Sequence, residues 1–261
     1  AAPVGLVLAA MAAFGAQRLL TAPPTPADAP LIRIVQPAVP QHEKWNPALR
    51  EEIWQRLLAL TRVDQAEGAR PAAVIWPETA IPFLYRTPSR EQADLVDALA
   101  PDTVLITGAA DVMQTETGRR TLNTVVVIGP DGTRRERYDK VHLVPFGEYV
   151  PLAGLLGRLG LEALAAGDES FTAGETPMTI ATAGGLPPFQ PLICYEVIFP
   201  HVTSEPAPAW IVNVTNDAWF GDTPGPRQHL RHARLRAIER GVPVARAATT
   251  GISAMIDSEG R

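Results

Sequence analysis

Cysteine is nearly missing from this sequence: Cys194 is the one cysteine in 261 residues, so no internal disulfide can form and cystine usage says nothing about the redox compartment. A lone cysteine is either core filler or a nucleophile. Positive charge is also thin. The 23 Lys and Arg are outnumbered by 28 Asp and Glu, the net charge is -5, and the basic residues are scattered. That excludes nucleic acid as a partner, since displacing counterions from phosphates takes clustered positive charge. Repeats are absent, and the 46% apolar share is ample for a packed core, which excludes a disordered or fibrous chain.

Long apolar runs are scarce too, with one exception. Pro3 to Leu20 carries no charge until Arg18. It is slightly short of the ~20 residues that span a ~30 Å hydrocarbon core and lacks the basic start and cleavage site of a signal peptide. It reads as the end of a transmembrane helix (1–20), with a buried Ala-rich helix of a soluble protein as the alternative. Thr21 to Pro30, TAPPTPADAP, cannot form a helix interior and reads as an extended linker (21–30). At the other end, Gly251 to Asp257 reads as a strand and Ser258 to Gly260 as the turn after it, with no return strand. The expectation is a piece of a longer protein, cut at both ends.

Between these limits short apolar runs alternate with helical patterns. Leu31–Val35, Ala73–Trp76, Val104–Thr107, Asn123–Ile128, Phe189–Cys194, Trp210–Val214 and Val242–Arg246 read as strands. Pro47–Arg62 and Pro226–Arg240 have apolar residues at helical spacing, the second ending at Gly241. Such alternation predicts an α/β protein, and Gly129-Pro-Asp-Gly132 adds an antiparallel hairpin. Val150 to Ala166 is apolar but interrupted by Gly154, Gly157 and Gly160, which would cost on the order of 1 kcal/mol each in a helix interior. It reads as a flexible apolar arm, with Leu155, Leu156 and Leu159 contacting lipid or an acyl chain.

Three positions suit covalent chemistry. Cys194 ends the strand Pro191-Leu-Ile-Cys, where unpaired N–H groups of a helix start would stabilise a thiolate; a buried inert cysteine is the bland alternative. Glu78 follows the strand Ala73–Trp76 through Pro77 and has Trp76, Pro82 and Phe83 nearby, an apolar setting that suits a base, against the alternative of a solvated loop glutamate. Lys140 opens Lys-Val-His-Leu-Val-Pro-Phe-Gly-Glu-Tyr-Val-Pro, a run that needs a specific backbone path; it could hold an oxyanion, with Glu148 orienting it or the thiol. His142, on the same segment, reads as structural. The loop Asn216-Asp-Ala-Trp-Phe-Gly221, carrying Trp219, should line the same pocket. His229 and His232 have a metal-like spacing on a helix, but no acidic or cysteine ligand is placed with them, and no metal or other cofactor is expected.

Taken together, Trp76-Pro-Glu78, Lys140 and Cys194-Tyr-Glu196 resemble the Glu-Lys-Cys triad of the nitrilase, or carbon–nitrogen hydrolase, superfamily. Trp-Pro-Glu-Thr-Ala, the Lys140 run, Leu-Ile-Cys-Tyr-Glu and Asn-Asp-Ala-Trp-Phe-Gly resemble more narrowly its apolipoprotein N-acyltransferase branch. The resemblance covers about Leu31 to the end. It implies an αββα sandwich over 31–261 on the periplasmic side of the bacterial inner membrane, acting as a monomer. It also implies ping-pong transfer of an acyl chain from a phospholipid, through a thioester on Cys194, to the N-terminal amine of a diacylated apolipoprotein. By the same resemblance Glu148, Tyr195 and Glu196 support the triad, and Trp45 stands near the substrate entrance. A soluble amidase or carbamoylase would share the triad, and a non-catalytic binding module would be expected to have lost part of it.

Overall fold

The computed structural model describes residues 2–22, 24–62, 70–115, 118–149, 151, 170–181 and 185–261. The apolar arm, with Leu155, Leu156 and Leu159, lies outside the described residues. Among the described residues, nine strands form two sheets, ordered β1-β2-β3-β4-β5 and β6-β7-β8-β9. In the first, β1 (Ile32–Ile34), β2 (Ala73–Trp76) and β3 (Val104–Thr115) run parallel, and β4 (Gly118–Ile128) and β5 (Arg134–Asp139) continue antiparallel. In the second, β6 (Phe189–Ile193), β7 (Trp210–Thr215) and β8 (Val244–Ala248) are parallel and β9 (Ala254–Ile256) closes the edge antiparallel.

The period-2 alternation of each strand sorts its side chains into three cores. From β2, Val74 and Trp76 face α2 (Arg50–Arg62) and α3 (Arg90–Ala98), while Ala73 and Ile75 face the opposite sheet. From β6 and β7, Leu192 and Ile211 face α4 (Gly225–Arg240), while Ile193, Val212 and Val214 meet Ile75, Ile106 and Val125 between the sheets. The result is the expected helix-sheet-sheet-helix layering. Local chemistry fixes the helix ends: Asn46 caps the turn before α2 by accepting from Ala48 N at 3.0 Å, Ser89 caps α3 through Gln92 N at 3.1 Å, and Gly241 ends α4 at φ 66°.

Several boundaries differ from the sequence reading. The β3–β4 hairpin is longer at both limbs, because its outer half (Asp111–Thr115 with Gly118–Thr121) is mostly polar and partly exposed, and Val112 and Met113, being adjacent, give no alternation. β5, Arg-Arg-Glu-Arg-Tyr-Asp, is a charged edge strand that alternation of apolar residues could not reveal. Strand β8 starts two residues later than read, and α3 was not anticipated.

The N-terminal segment forms α1 (Ala2–Thr21), long and apolar enough to cross a membrane by length and composition, with mean hydropathy 1.5. None of the stretch Pro3–Thr21 is buried against the other described residues. Its Arg18 forms an ion pair with Glu259, in the turn after β9.

Candidate active site

Glu78, Lys140 and Cys194 each stand just past the end of a strand. Glu78 leaves β2 through Pro77 and is only 6% exposed. The first sheet makes room for it at Gly108 of β3, where a Cβ would lie 2.5 Å from Glu78 Cα and from Thr79 N; only glycine permits that approach. Its carboxylate is held from both sheets. Asn123 Nδ2, on β4, donates to Oε1 at 2.8 Å, and Asn216 N, just past β7, donates to Oε2 at 2.9 Å. The solvated-loop alternative is thereby excluded.

Lys140 follows β5 and is 1% exposed. Its Nζ donates to Glu148 Oε1 at 2.8 Å and stands 3.7 Å from Glu78 Oε1. Burial alone would lower the Lys140 ammonium, but Glu78, the Cys194 thiolate form and Glu148 outweigh it and hold it above the ordinary lysine range. Glu148 is fixed in turn by Asn123 Nδ2 at 2.9 Å and Val144 N at 2.8 Å. Of the two partners foreseen for it, Glu148 is hydrogen-bonded to Lys140.

Cys194 begins the 3-10 helix Cys194–Ile198 at φ 47°, a left-handed conformation that costs an L-residue on the order of 1–2 kcal/mol. Glu196, fully buried, braces this elbow. Its Oε2 accepts from Ile193 N at 2.8 Å, while Oε1 accepts from Tyr138 Oη, Val141 N and His142 N, so one carboxylate ties the elbow to the segment that carries Lys140. Burial pushes the Glu196 carboxyl above its ordinary range despite these donors. Tyr195 lines the cavity and meets Phe199 edge-on, and His142 stacks on Phe199 at 3.9 Å, the structural role read for it.

Glu78, Lys140 and Cys194 line one cavity of about 490 Å³. Trp45, Trp219 and Phe220 also line it and are 52%, 68% and 40% exposed, so the mouth is rimmed with aromatics. Sequence reasoning missed Asn123, Gln41, Lys44 and the Asn216 backbone. Lys44 is buried, donates to the Glu78 carbonyl at 3.0 Å, and is pushed down to about 8 by burial. Nothing local marks it beyond adjacency to Trp45.

One expectation is reversed. The thiol of Cys194 is not eased toward thiolate; burial and the neighbouring Glu78 carboxylate push it up to about 12, against the pull of Lys140. The resting site is neutral thiol beside carboxylate, which suits deprotonation during attack. Since the thiolate is the species alkylated, iodoacetamide labelling of Cys194 should climb about tenfold per pH unit from pH 8 to beyond 10. A rate that levels off near 9.0, the ordinary thiol value, would contradict this.

Residues 31–261 match the carbon-nitrogen hydrolase family. The chain belongs to that family. Two solved carbon-nitrogen hydrolase folds superpose on it: a CN-hydrolase superfamily protein of Xanthomonas campestris (TM-score 0.58, 21% identity, 89% of this chain and 84% of that one) and Nit3 of Saccharomyces cerevisiae, a nitrilase superfamily member (TM-score 0.59, 18%, 88% and 82%). Among curated relatives, the apolipoprotein N-acyltransferases of Agrobacterium fabrum (45% identity over 98% of this chain) and Bradyrhizobium diazoefficiens (43% over 100%) are similar throughout. This chain spans about half their length, 49% and 50%.

Proposed function

We propose that this chain carries the acyl-transfer centre of an apolipoprotein N-acyltransferase, with Cys194 as nucleophile, Glu78 as general base and acid, and Lys140 as the oxyanion's counter-charge. The observation that carries the chemistry is the single cavity in which a neutral thiol, a doubly anchored carboxylate and a buried ammonium meet behind an aromatic rim. The relatives' names carry the choice of substrates.

In the first half-reaction the Cys194 proton passes to Glu78 as sulfur bonds to the carbonyl carbon of a phospholipid ester, and the oxyanion forms against Lys140. Collapse breaks the C–O bond, and the departing lysophospholipid oxygen takes the proton from Glu78. The thioester is then attacked by the N-terminal amine of a diacylglyceryl-cysteine; Glu78 accepts the amine's proton, the C–S bond breaks and the sulfur is reprotonated. Trp45 and Trp219 flank the acyl chain and restrict water, which favours transfer over hydrolysis. Residues 1–20 supply a membrane anchor, 21–30 a spacer and 31–261 the periplasmic catalytic domain of an inner-membrane enzyme that works as a monomer.

Intact mass after incubation with phosphatidylethanolamine vesicles tests the reading. An added acyl mass that maps to Cys194 and is discharged by a diacylglyceryl-cysteine peptide is expected. Fast turnover of small amides with no lipid adduct would instead identify an amidase.

A further inference from the structure

His229 has no part in the proton transfers above, yet it sits against the nucleophile. It lies on α4, 5% exposed, and its Nε2 is 3.1 Å from the backbone oxygen of Cys194. A carbonyl only accepts, so Nε2 carries a hydrogen and donates it. On the ring's other side Nδ1 is 2.8 Å from Asp217 Oδ1, which also accepts from Thr215 Oγ1 at 3.0 Å. Burial opposes ionisation of Asp217, but His229 and Arg246 outweigh it and hold its carboxyl below the ordinary range.

Arg246, fully buried in the middle of β8, donates from Nη2 to Asp217 Oδ2 at 2.7 Å and from Nη1 to Asn213 Oδ1. Asn213 Nδ2 then donates to Leu192 O at 3.0 Å. One arginine thus reaches the strand before the elbow through Asn213 and the elbow's own carbonyl through Asp217 and His229. Gly251, at φ 84°, keeps space for this: a Cβ there would lie 2.8 Å from Asp217 Cβ. The sequence reading placed no acidic partner with His229, because Asp217 is twelve residues away and the two meet only when α4 packs on the second sheet.

In a trans peptide the C=O and N–H point in opposite directions within one plane. Pinning the Cys194 oxygen on the His229 side therefore fixes the Tyr195 N–H toward the opposite side. That N–H is in the first turn of the 3-10 helix and has no acceptor within the helix. We propose that His229, held by Asp217 and Arg246, is a positioning residue that sets the Cys194–Tyr195 peptide plane so that the Tyr195 N–H, with Lys140, receives the oxyanion formed on attack by Cys194. The proposal rests on Cys194 being the nucleophile.

Two reactions of the same sulfur separate this role from a merely structural one. Acylation by p-nitrophenyl butyrate passes through an oxyanion; alkylation by iodoacetamide does not. In the full chain in detergent, His229→Asn keeps a polar group where Nδ1 faces Asp217 and Arg246 but has no donor where Nε2 meets Cys194 O, whereas His229→Gln places its amide nitrogen at the reach of Nε2. His229→Asn should slow acylation about 10- to 100-fold with alkylation nearly unchanged, and His229→Gln should recover most of the acylation rate. Equal acylation by the Asn variant and the wild type, or equal slowing of acylation and alkylation, would overturn the proposal. Should His229→Asn fail to melt cooperatively, Asp217→Asn is read by the same pair of rates, and its failure to fold would also overturn the proposal. Absence of any Cys194 adduct from the ester in the wild type would instead bring down the nucleophile assignment, and this role with it.

Discussion

Replacing Lys140 with methionine should lower the thermal midpoint by on the order of 10 °C and reduce Cys194 acylation by about 10²- to 10³-fold. The stability loss follows from what the ammonium leaves behind. Lys140 is 1% exposed and has Glu148 at 2.8 Å and Glu78 at 3.7 Å, with Asn123 Nδ2 shared between the same two carboxylates. Without the cation, two buried carboxylates face each other across one amide. Removing one partner of a buried ion pair costs about 3–5 kcal/mol, most of it from the stranded charge. The double variant Lys140→Met/Glu148→Gln removes one of those charges, so it should regain part of the thermal stability and none of the acylation. Equal midpoints for the single and double variants, measured by scanning calorimetry, would show that the carboxylates do not repel as described.

For Glu78→Gln, acylation should fall by about 10²- to 10⁴-fold, the range a positioned general base contributes. The thiol is held protonated, so attack needs a base, and Glu78 is a carboxylate that shares its cavity. The substitution is nearly isosteric, but both carboxylate oxygens accept from donors, Asn123 Nδ2 and Asn216 N. An amide cannot accept on both sides. Its NH₂ must face one donor, which costs about 1–3 kcal/mol for the bond that cannot form. Stopped-flow measurement of acyl-enzyme formation should show the slow rate at every pH from 6 to 9, since the lost group is the base itself. A variant whose rate merely shifts along the pH axis would assign the base elsewhere.

The sandwich was legible because its central strands are apolar on both faces: Ala73–Trp76, Trp210–Val214 and Phe189–Ile193 announce themselves by β-branched and aromatic content. What escaped was built from polar strands and long-range meetings. The outer β3–β4 hairpin and β5 have no apolar alternation to read. Glu78 and Cys194 were legible for a related reason, since each follows a readable strand, and Lys140 was legible from the dense run of Pro, Gly and aromatics that it opens. Two of its supports were not: Asn123 looks like any strand asparagine until β4 is laid beside Glu78, and Asn216 contributes through its backbone, which side-chain chemistry cannot signal. Arg246 was the one findable omission. A charged residue inside Val-Ala-Arg-Ala-Ala, in a strand otherwise fit for burial, demands a buried partner.

The thiol and its base belong to different sheets. Glu78 and Lys140 stand on ends of the first, which is complete by Asp139; Cys194 and Asn216 follow strands of the second, on which the helix carrying His229 packs. During translation the first sheet can therefore assemble before the nucleophile has been synthesised, and the sulfur meets its proton acceptor only when the two halves dock. A half-made or half-unfolded chain exposes an ordinary cysteine rather than an armed one, so acyl transfer begins only once the interface between the sheets has closed.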